Sequence, residues 1–315
     1  MKEIQAMKKN NTVYIITGPT AVGKSIIAFY LAKRINGEIV NCDSIQLYKH
    51  LNIGSAKPSE KEMSEIPHHL YGVVEPDDKI TVARYQQMAL KTIDDILDRG
   101  AVPIVCGGTG LYVNSILYDM DFAARPEDNG KRRKELEEMA NKMGSQYMYE
   151  YLSAIDPVSA ERIHPNNTRK VIRAIEAYEY GSNVKDMEEC RLRMTYDFRL
   201  FGITMERKWL YDRINRRVLE LVKRGLLDEF KELNEKGYTE NTPAMKAIGY
   251  KELYDFKNGK KDLKTAILDI MKNSRHYAKR QMTWLKRYDG LIHWIEIQKN
   301  QSVGEIVDEI LQVEQ

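Results

Sequence analysis

Val13-Tyr14-Ile15-Ile16-Thr17-Gly18-Pro19-Thr20-Ala21-Val22-Gly23-Lys24-Ser25-Ile26-Ile27-Ala28-Phe29-Tyr30-Leu31-Ala32 changes texture twice. The β-branched opening has no helical period and reads as a buried parallel strand, and the stretch from Ile26 continues as a helix. Between them lies a complete G-x-x-x-x-G-K-[ST] loop. Its glycines let successive backbone N–H groups turn inward on a phosphate, and the helix N-terminus adds positive dipole. Gly18, Thr20, Ala21, Val22, Gly23, Lys24 and Ser25 are therefore the candidate diphosphate-binding residues. Lys24 is expected to reach the outer phosphate and Ser25 to hold Mg²⁺. The ligand carries at least two linked phosphates.

The 315 residues suffice for a full core, and 43% hydrophobic with 30% charged residues is the composition of a globular protein. No run approaches the roughly 18 apolar residues that a membrane helix requires, so no membrane partner is expected. The start, Met1-Lys2-Glu3-Ile4-Gln5-Ala6-Met7, has charge but no apolar core of a signal peptide, and a cytoplasmic location is expected. Cys42, Cys106 and Cys190 are isolated, which supports neither a zinc site nor a disulfide framework. Cys42 and Cys106 close apolar runs and read as small buried hydrophobes.

A net charge of +3 does not by itself argue for nucleic acid, but its distribution does. Arg207, Lys208, Arg213, Arg216, Arg217, Lys223 and Arg224 crowd one stretch, and Lys272, Arg275, Lys279, Arg280, Lys286 and Arg287 another. A basic helix face is most often simply solvated. Here Tyr211, Tyr277, Trp284 and Tyr288 are interleaved, as expected where phosphates and bases are held together.

Further along, Glu38-Ile39-Val40-Asn41-Cys42 reads as a second strand that delivers Asp43-Ser44-Ile45-Gln46 at its carboxyl end, where ligands gather in open α/β sheets. Asp43 is thus a candidate for chemistry, with a helix N-cap as the alternative. A polar loop is expected through Pro67-His68-His69-Leu70, where the paired histidines lack a third ligand at metal spacing. Residues 81–99 are helical, and Pro103-Ile104-Val105-Cys106 is a third strand opening into Gly107-Gly108-Thr109-Gly110. Three β-α units predict a parallel sheet covered by helices.

From about residue 119 the texture becomes charged and helical with no strand. Thr168 is expected to cap a helix carrying Arg169, Lys170 and Arg173 on its first turns, where cations oppose the dipole unless an anion is near. Residues 198–203 return to the sheet, 210–223 and 261–286 form long helices, and 291–295 and 303–313 supply a last strand and helix. The expected division is a core over 1–118 and 200–315, interrupted by an all-helical insertion domain over 119–199.

Three chemistries can use such a loop: an NTPase, a small-molecule or nucleotide kinase, and a transferase whose leaving group is pyrophosphate. No N-K-x-D or other base-reading element stands beside the loop. The ordered series Gly18-Pro19-Thr20-Ala21-Val22-Gly23-Lys24-Ser25, Asp43-Ser44-Ile45-Gln46-Leu47-Tyr48, Gly54-Ser55-Ala56-Lys57-Pro58, Pro67-His68-His69-Leu70, Gly107-Gly108-Thr109-Gly110-Leu111-Tyr112, Arg162-Ile163-His164-Pro165-Asn166 and Lys279-Arg280-Gln281-Met282-Thr283-Trp284 closely resembles the bacterial tRNA dimethylallyltransferase family.

The resemblance implies a P-loop NTPase-like α/β fold. It also implies transfer of a dimethylallyl group from dimethylallyl diphosphate to N6 of adenosine 37, beside the anticodon, assisted by Mg²⁺. By that resemblance Asp43 is the base, Thr109 orients the site, and Arg217 stabilises the departing pyrophosphate. The tRNA anticodon stem-loop would be held by Asp43, Ser44, Ile45 and Gln46, by Arg169, Lys170 and Arg173, by Lys246 and Lys251, and by Lys279, Arg280, Gln281, Trp284 and Lys286. A monomer is expected. Relatives that prenylate free adenine nucleotides are the competing reading within the family, and the basic insertion argues against it. A nucleotide kinase is the runner-up from another class.

Overall fold

The computed structural model describes residues 11–120, 130–179 and 190–313. The amino-terminal segment read for targeting, and the ends of the charged and helical stretches at 121–129 and 180–189, lie outside the described residues. The described chain separates into two compact units, one formed by Met1–Leu117 with Arg193–Gln315 and the other by Tyr118–Leu192. Among the described residues no helix is long and apolar enough to cross a membrane.

The larger unit is built on a six-stranded, wholly parallel sheet in the order β3-β2-β4-β1-β5-β6. Its strands are β1 (Thr12–Thr17), β2 (Gly37–Asn41), β3 (His68–His69), β4 (Val102–Cys106), β5 (Asp197–Met205) and β6 (His293–Ile297). The helices that connect them are α1 (Lys24–Ile35), α2 (Glu60–Glu65), α3 (Val82–Asp98) and α4 (Gly110–Leu117). This is the P-loop-type α/β fold expected from the first motif.

Burial on both faces explains why the central strands read as continuous apolar runs. Val13, Ile15 and Ile16 of β1 and Ile104 and Val105 of β4 are at most 1% exposed. Outside the sheet, α1 packs its Ile27, Ala28, Phe29, Leu31 and Ala32 into the core. In α3 the side chain of Thr81 caps the helix by accepting from Arg84 N, and Gly100, with φ +79°, follows its end.

Three elements differ from the sequence reading. The segment expected to be a loop contributes β3, whose backbone pairs with Ile39 and Val40 of β2 at the sheet edge. A strand of two residues carries too little periodicity to be read in advance. The returning strand, expected over 198–203, spans Asp197–Met205, one residue earlier and two later. Between α8 (Arg207–Lys223) and a 3₁₀ turn at Ala244–Lys246 lies a further helix, α9 (Leu226–Glu235), that the sequence reading did not mark.

Those helices are α5 (Lys131–Ile155), interrupted at Gly144 (φ +85°), α6 (Pro157–Arg162) and α7 (Thr168–Glu179). They enclose a small core of Leu136, Met148, Leu152, Val171, Ile172 and Ile175. Two arginines of α5 are paired with α7, Arg133 with Glu176 and Arg132 with Glu179. The cap of α7 is Asn167, whose Oδ1 accepts from Lys170 N at 3.3 Å, whereas Thr168 lies inside the helix. Either residue type caps well, so the sequence alone does not separate them. The larger unit is completed by α9 (Leu226–Glu235), α10 (Lys251–Lys257), α11 (Leu263–Leu285) and α12 (Val303–Gln312).

The register fixes where the loops emerge. Ile16 of β1 and Asn41 of β2 are both aligned with Cys106 of β4. Beyond that level Cys42 N donates to Cys106 O (2.8 Å), Gly107 N to Ile16 O (3.2 Å) and Thr109 N to Cys42 O (3.2 Å). This weave leaves no room for a side chain at residue 107, where a Cβ would lie 2.2 Å from Cys42 C and O. Because the obstacle is backbone, Gly107→Ala is expected to cost about 1–3 kcal/mol. Gly304→Ala, at an exposed position of α12 where the nearest atom is 3.8 Å away, should instead be neutral or stabilising by about 0.5 kcal/mol. Urea unfolding of the two variants distinguishes these outcomes, and equal midpoints would show that the strand ends can part.

Candidate active site

Two glycines and one alanine shape the first loop. Gly18 has φ +149° and a Cβ there would meet Ile203 O at 2.4 Å, while Gly23 turns the chain into α1 with φ +113°. Ala21 takes the left-handed conformation at φ +64°, and its carbonyl accepts from Arg213 Nε at 3.1 Å. Thr20 N donates to Gln281 Oε1 at 2.8 Å. At the start of α1 no side chain caps the helix and no acid stands in the first turn. Its first N–H groups and positive dipole are thus left for an anion.

Lys24 Nζ donates to Pro19 O at 2.9 Å, so the ammonium is tied back across its own loop. Burial lowers its pKa to about 8, opposed by the negative charge of Asp43 and reinforced by Arg217. Ser25 stands exposed beside Cys106, whose thiol is pushed up to about 11 by burial. Cys42 is pushed up to about 12 by the same cause, so both thiols are neutral packing groups.

The second strand end carries Asp43. Asn41, fully buried, holds the main chain on both sides of it: Oδ1 accepts from Asp43 N (2.9 Å) and Nδ2 donates to Asp43 O (3.0 Å) and Leu70 O (2.9 Å). Asp43 Oδ1 accepts from Ile45 N at 2.9 Å, which closes a turn over residues 44–47 and not a helix. The helix-cap alternative is therefore replaced by an Asx turn. The third strand end supplies Thr109, whose Oγ1 accepts from Ser44 N at 3.1 Å. Arg217 of α8 is partly buried, and burial lowers its pKa against the attraction of Asp43. Asp43, Thr109, Lys24 and Arg217 are thus gathered at one sheet edge.

The face of α11 closes this edge. Tyr277 hydrogen-bonds Thr109, and burial together with Asp43 raises its pKa, so its hydroxyl stays protonated. Arg280 lies over the Tyr277 ring at 5.7 Å and Arg287 over Trp284 at 4.6 Å. A groove along the helix is lined by His276, Lys279, Arg280, Thr283, Trp284 and Arg287. The indole of Trp284 rests on the second glycine turn, where a Cβ at Gly110 would lie 2.2 Å from it.

Gln281 departs from the sequence reading. It is 6% exposed, and its amide spans two loops by accepting from Thr20 N and donating to Gly108 O at 2.8 Å. It braces the phosphate loop against the second glycine turn, a role that the sequence reading did not give it. Gln46 is also buried, its Nε2 donating to Ser55 O and Ala56 O. Ser44 and Ile45 remain partly exposed in the turn, and Lys246, Lys251, Lys279, Arg280 and Lys286 are exposed on the larger unit. Arg169, Lys170 and Arg173 are exposed on α7 of the second unit.

The histidine pair is engaged in the fold: His69 Nε2 contacts Glu38 Oε2 at 2.6 Å, and His68 Nδ1 contacts Ile66 O at 2.7 Å. Among the described residues no three His, Cys, Asp or Glu side chains stand together as metal ligands.

A family model described as IPP transferase matches residues 46–288. The chain belongs to the IPP transferase family. It is 44% identical to the tRNA dimethylallyltransferase of Alkaliphilus oremlandii over 307 residues, 97% of each chain, and 45% identical to that of Acetivibrio thermocellus over 288 residues, 90% of this chain and 91% of the relative. Among solved structures it resembles the tRNA isopentenylpyrophosphate transferase of Bacillus halodurans (TM-score 0.68, 39% identity, 98% and 99% coverage). It also resembles a eukaryotic dimethylallyltransferase acting on tRNA (TM-score 0.77, 28% identity, 91% and 74% coverage).

Asn41 adjoins the candidate site although motif reading passed it over, and Arg213 and Tyr277, read in the sequence only as parts of basic and aromatic stretches, adjoin it too. Asn41 ends an apolar run and Tyr277 lies at the i−4 position from Gln281, a spacing that would have placed both on one face of α11.

Lys24 generates a test. Above pH 8 its neutral form prevails, and an anion in the loop must raise its pKa. Binding of an alkyl diphosphate, whose own last ionisation lies near 6, should therefore take up about half a proton at pH 8 and almost none at pH 6.5. Calorimetry in buffers of different ionisation enthalpy measures this, and Lys24→Met should abolish the uptake. Proton release at pH 8 would contradict the lowered value.

Proposed function

We propose that this chain transfers the dimethylallyl group of dimethylallyl diphosphate to N6 of adenosine 37 next to the tRNA anticodon, releasing pyrophosphate. The observation that carries the proposal is the convergence of an anion loop, a carboxylate, a hydroxyl and a partly buried arginine at one sheet edge, in a chain alike over nearly its whole length to tRNA dimethylallyltransferases. The loop from Gly18 to Ser25 holds the diphosphate by backbone N–H groups and Lys24.

In the reaction the N6 lone pair forms a bond to the allylic carbon as the carbon–oxygen bond to diphosphate breaks, and the electron pair leaves with pyrophosphate. Asp43 receives the N6 proton, and Thr109 keeps the 43–44 turn in place. Lys24 and Arg217 face the growing charge on the leaving group. An exocyclic adenine amine is a weak nucleophile, so positioning and leaving-group electrostatics supply most of the acceleration, and the base about 10²–10⁴-fold.

The donor set fits Mg²⁺ in the manner of a hard cation held by few protein ligands: the Ser25 hydroxyl stands at the loop, and the remaining ligands would be diphosphate oxygens and water. When bound, the ion neutralises diphosphate charge. Tyr277, Lys279, Arg280 and the groove beside them suit a nucleic-acid strand, with cations for phosphates and rings for bases. The Lys246 and Lys251 segment and exposed Arg169, Lys170 and Arg173 are assigned to tRNA grip on charge. One unmodified tRNA bound to one chain is the expected complex.

Incubation with dimethylallyl diphosphate and unmodified tRNA should yield N6-dimethylallyladenosine on nucleoside analysis. Asp43→Asn should lower turnover by about 10²-fold or more with substrates still bound, because the amide keeps the turn to Ile45 N and cannot take a proton. Near-normal turnover would remove Asp43 from the chemistry. Replacing Arg169, Lys170 and Arg173 together by Ala should weaken tRNA binding and lower its salt slope by up to about three. An unchanged slope would place tRNA elsewhere.

A further inference from the structure

Glu229 of α9 is a carboxylate with 7% exposure whose acceptor capacity is taken up inside the protein. Its Oε2 accepts from Asn52 N (2.6 Å) and Ile53 N (2.7 Å), and its Oε1 from Gly54 N (2.9 Å) and the Tyr250 hydroxyl (2.7 Å). A buried carboxylate is tolerated only when donors surround it, and three successive backbone N–H groups form such a nest. Tyr250 also floors the turn, since a Cβ at Gly54 would lie 2.5 Å from its ring and hydroxyl.

The next two carbonyls lead to the candidate site. Ser55 O and Ala56 O both accept from Gln46 Nε2 at 3.0 Å. With its nitrogen engaged twice, the Gln46 amide is fixed in one orientation, and its Oε1 takes no part in either of these bonds. Asp43 is anchored separately, by Asn41. The fold therefore holds the catalytic carboxylate and the Gln46 amide by two independent braces.

We propose that Glu229 is a positioning residue for nucleic-acid recognition, holding the 52–56 turn so that Gln46 presents Oε1 as an acceptor to a base-edge N–H. A fixed acceptor favours bases that offer an exocyclic amine over those that offer a carbonyl. This inference rests on the proposed transferase activity and on the 43–46 turn as part of its tRNA contact.

The test is steady-state kinetics on an unmodified anticodon stem-loop with dimethylallyl diphosphate. Glu229→Gln keeps the side-chain size but turns one acceptor into a donor facing backbone N–H groups. It should raise KM for the stem-loop about tenfold, with kcat within about twofold and KM for the diphosphate unchanged. Gln46→Ala should raise the stem-loop KM similarly, and the double variant should be no worse than either single one within about twofold, because both act through one amide. Tyr250→Phe removes one of the four donors while keeping the ring, and should give an intermediate rise even where Glu229→Gln does not fold.

Additive effects of Glu229→Gln and Gln46→Ala, no rise in Tyr250→Phe, or losses in kcat and both KM values that track a fallen melting temperature would each overturn the proposal. Absence of transfer by the wild-type chain would instead refute the transferase reading, so the two failures are distinct.

Discussion

The alignment of Ile16, Cys106 and Asn41 across three parallel strands is the constraint on which the site depends. Because β1, β4 and β2 end at one level, the segments that follow them are delivered side by side without any long loop having to fold back. Each is then too close to its neighbour to move independently. Gly107 touches the Cys42 backbone, Gly108 would place a Cβ 2.9 Å from Gly18 O, and Gly18 itself lies against Ile203 O. The glycines of the two turns thus have packing reasons in addition to their reasons for approaching phosphate. Interdigitated backbone of this kind supplies pre-organisation, which an electrostatic mechanism needs, since fixed dipoles spend no reorganisation energy when charge develops.

Side-chain amides, not ion pairs, join these backbone segments. Gln281 spans the phosphate loop and the Gly108 turn, Asn41 spans Asp43 and Leu70, and Gln46 spans its own turn and residues 55–56. An amide is both donor and acceptor, so Gln281 and Asn41 each satisfy an N–H and a C=O at once. They do so without adding a formal charge beside the glycine-rich loop. Of the buried carboxylates, Glu229 and Glu252 serve backbone N–H groups at 52–54 and 249, whereas Glu38 and Glu176, away from these turns, are paired with Arg99 and Arg133.

Much of this was legible because the informative residues act locally. A Gly-x-x-x-x-Gly-Lys-Ser run after an apolar strand allows few conformations, and Asp43 and Thr109 follow strands whose burial gives them unbroken hydrophobicity. The amides were not legible in the same way. Nothing local marks Gln281 as a brace, because its partners are Thr20 and Gly108, 261 and 173 residues away. In a basic, aromatic helix it reads as one more polar surface residue. Strand β3 escaped because two residues carry no period. Helix α9 has Leu226, Phe230 and Leu233 at helical spacing, so it was readable. Even then Glu229 would have passed for a solvated charge, since its four donors come from 52–54 and Tyr250.

The two oxygens of Asp43 have different surroundings, and this bears on how the proposed base is held. Oδ1 is held by Ile45 N, whereas Oδ2 makes no hydrogen bond among the described residues. The backbone of Asp43 is held by a neutral amide, Asn41, and the nearby Thr109 is hydrogen-bonded to Ser44 and Tyr277. Had an arginine gripped the carboxylate in a bidentate pair, both oxygens would have been oriented, but the carboxylate would have been stabilised in its charged form and weakened as a base. Lys24 and Arg217 interact with Asp43 through space, and neither is hydrogen-bonded to it. In the proposed reaction those cations are left for the leaving group, and one oxygen of Asp43 for the proton. The division of labour follows from where the strands end.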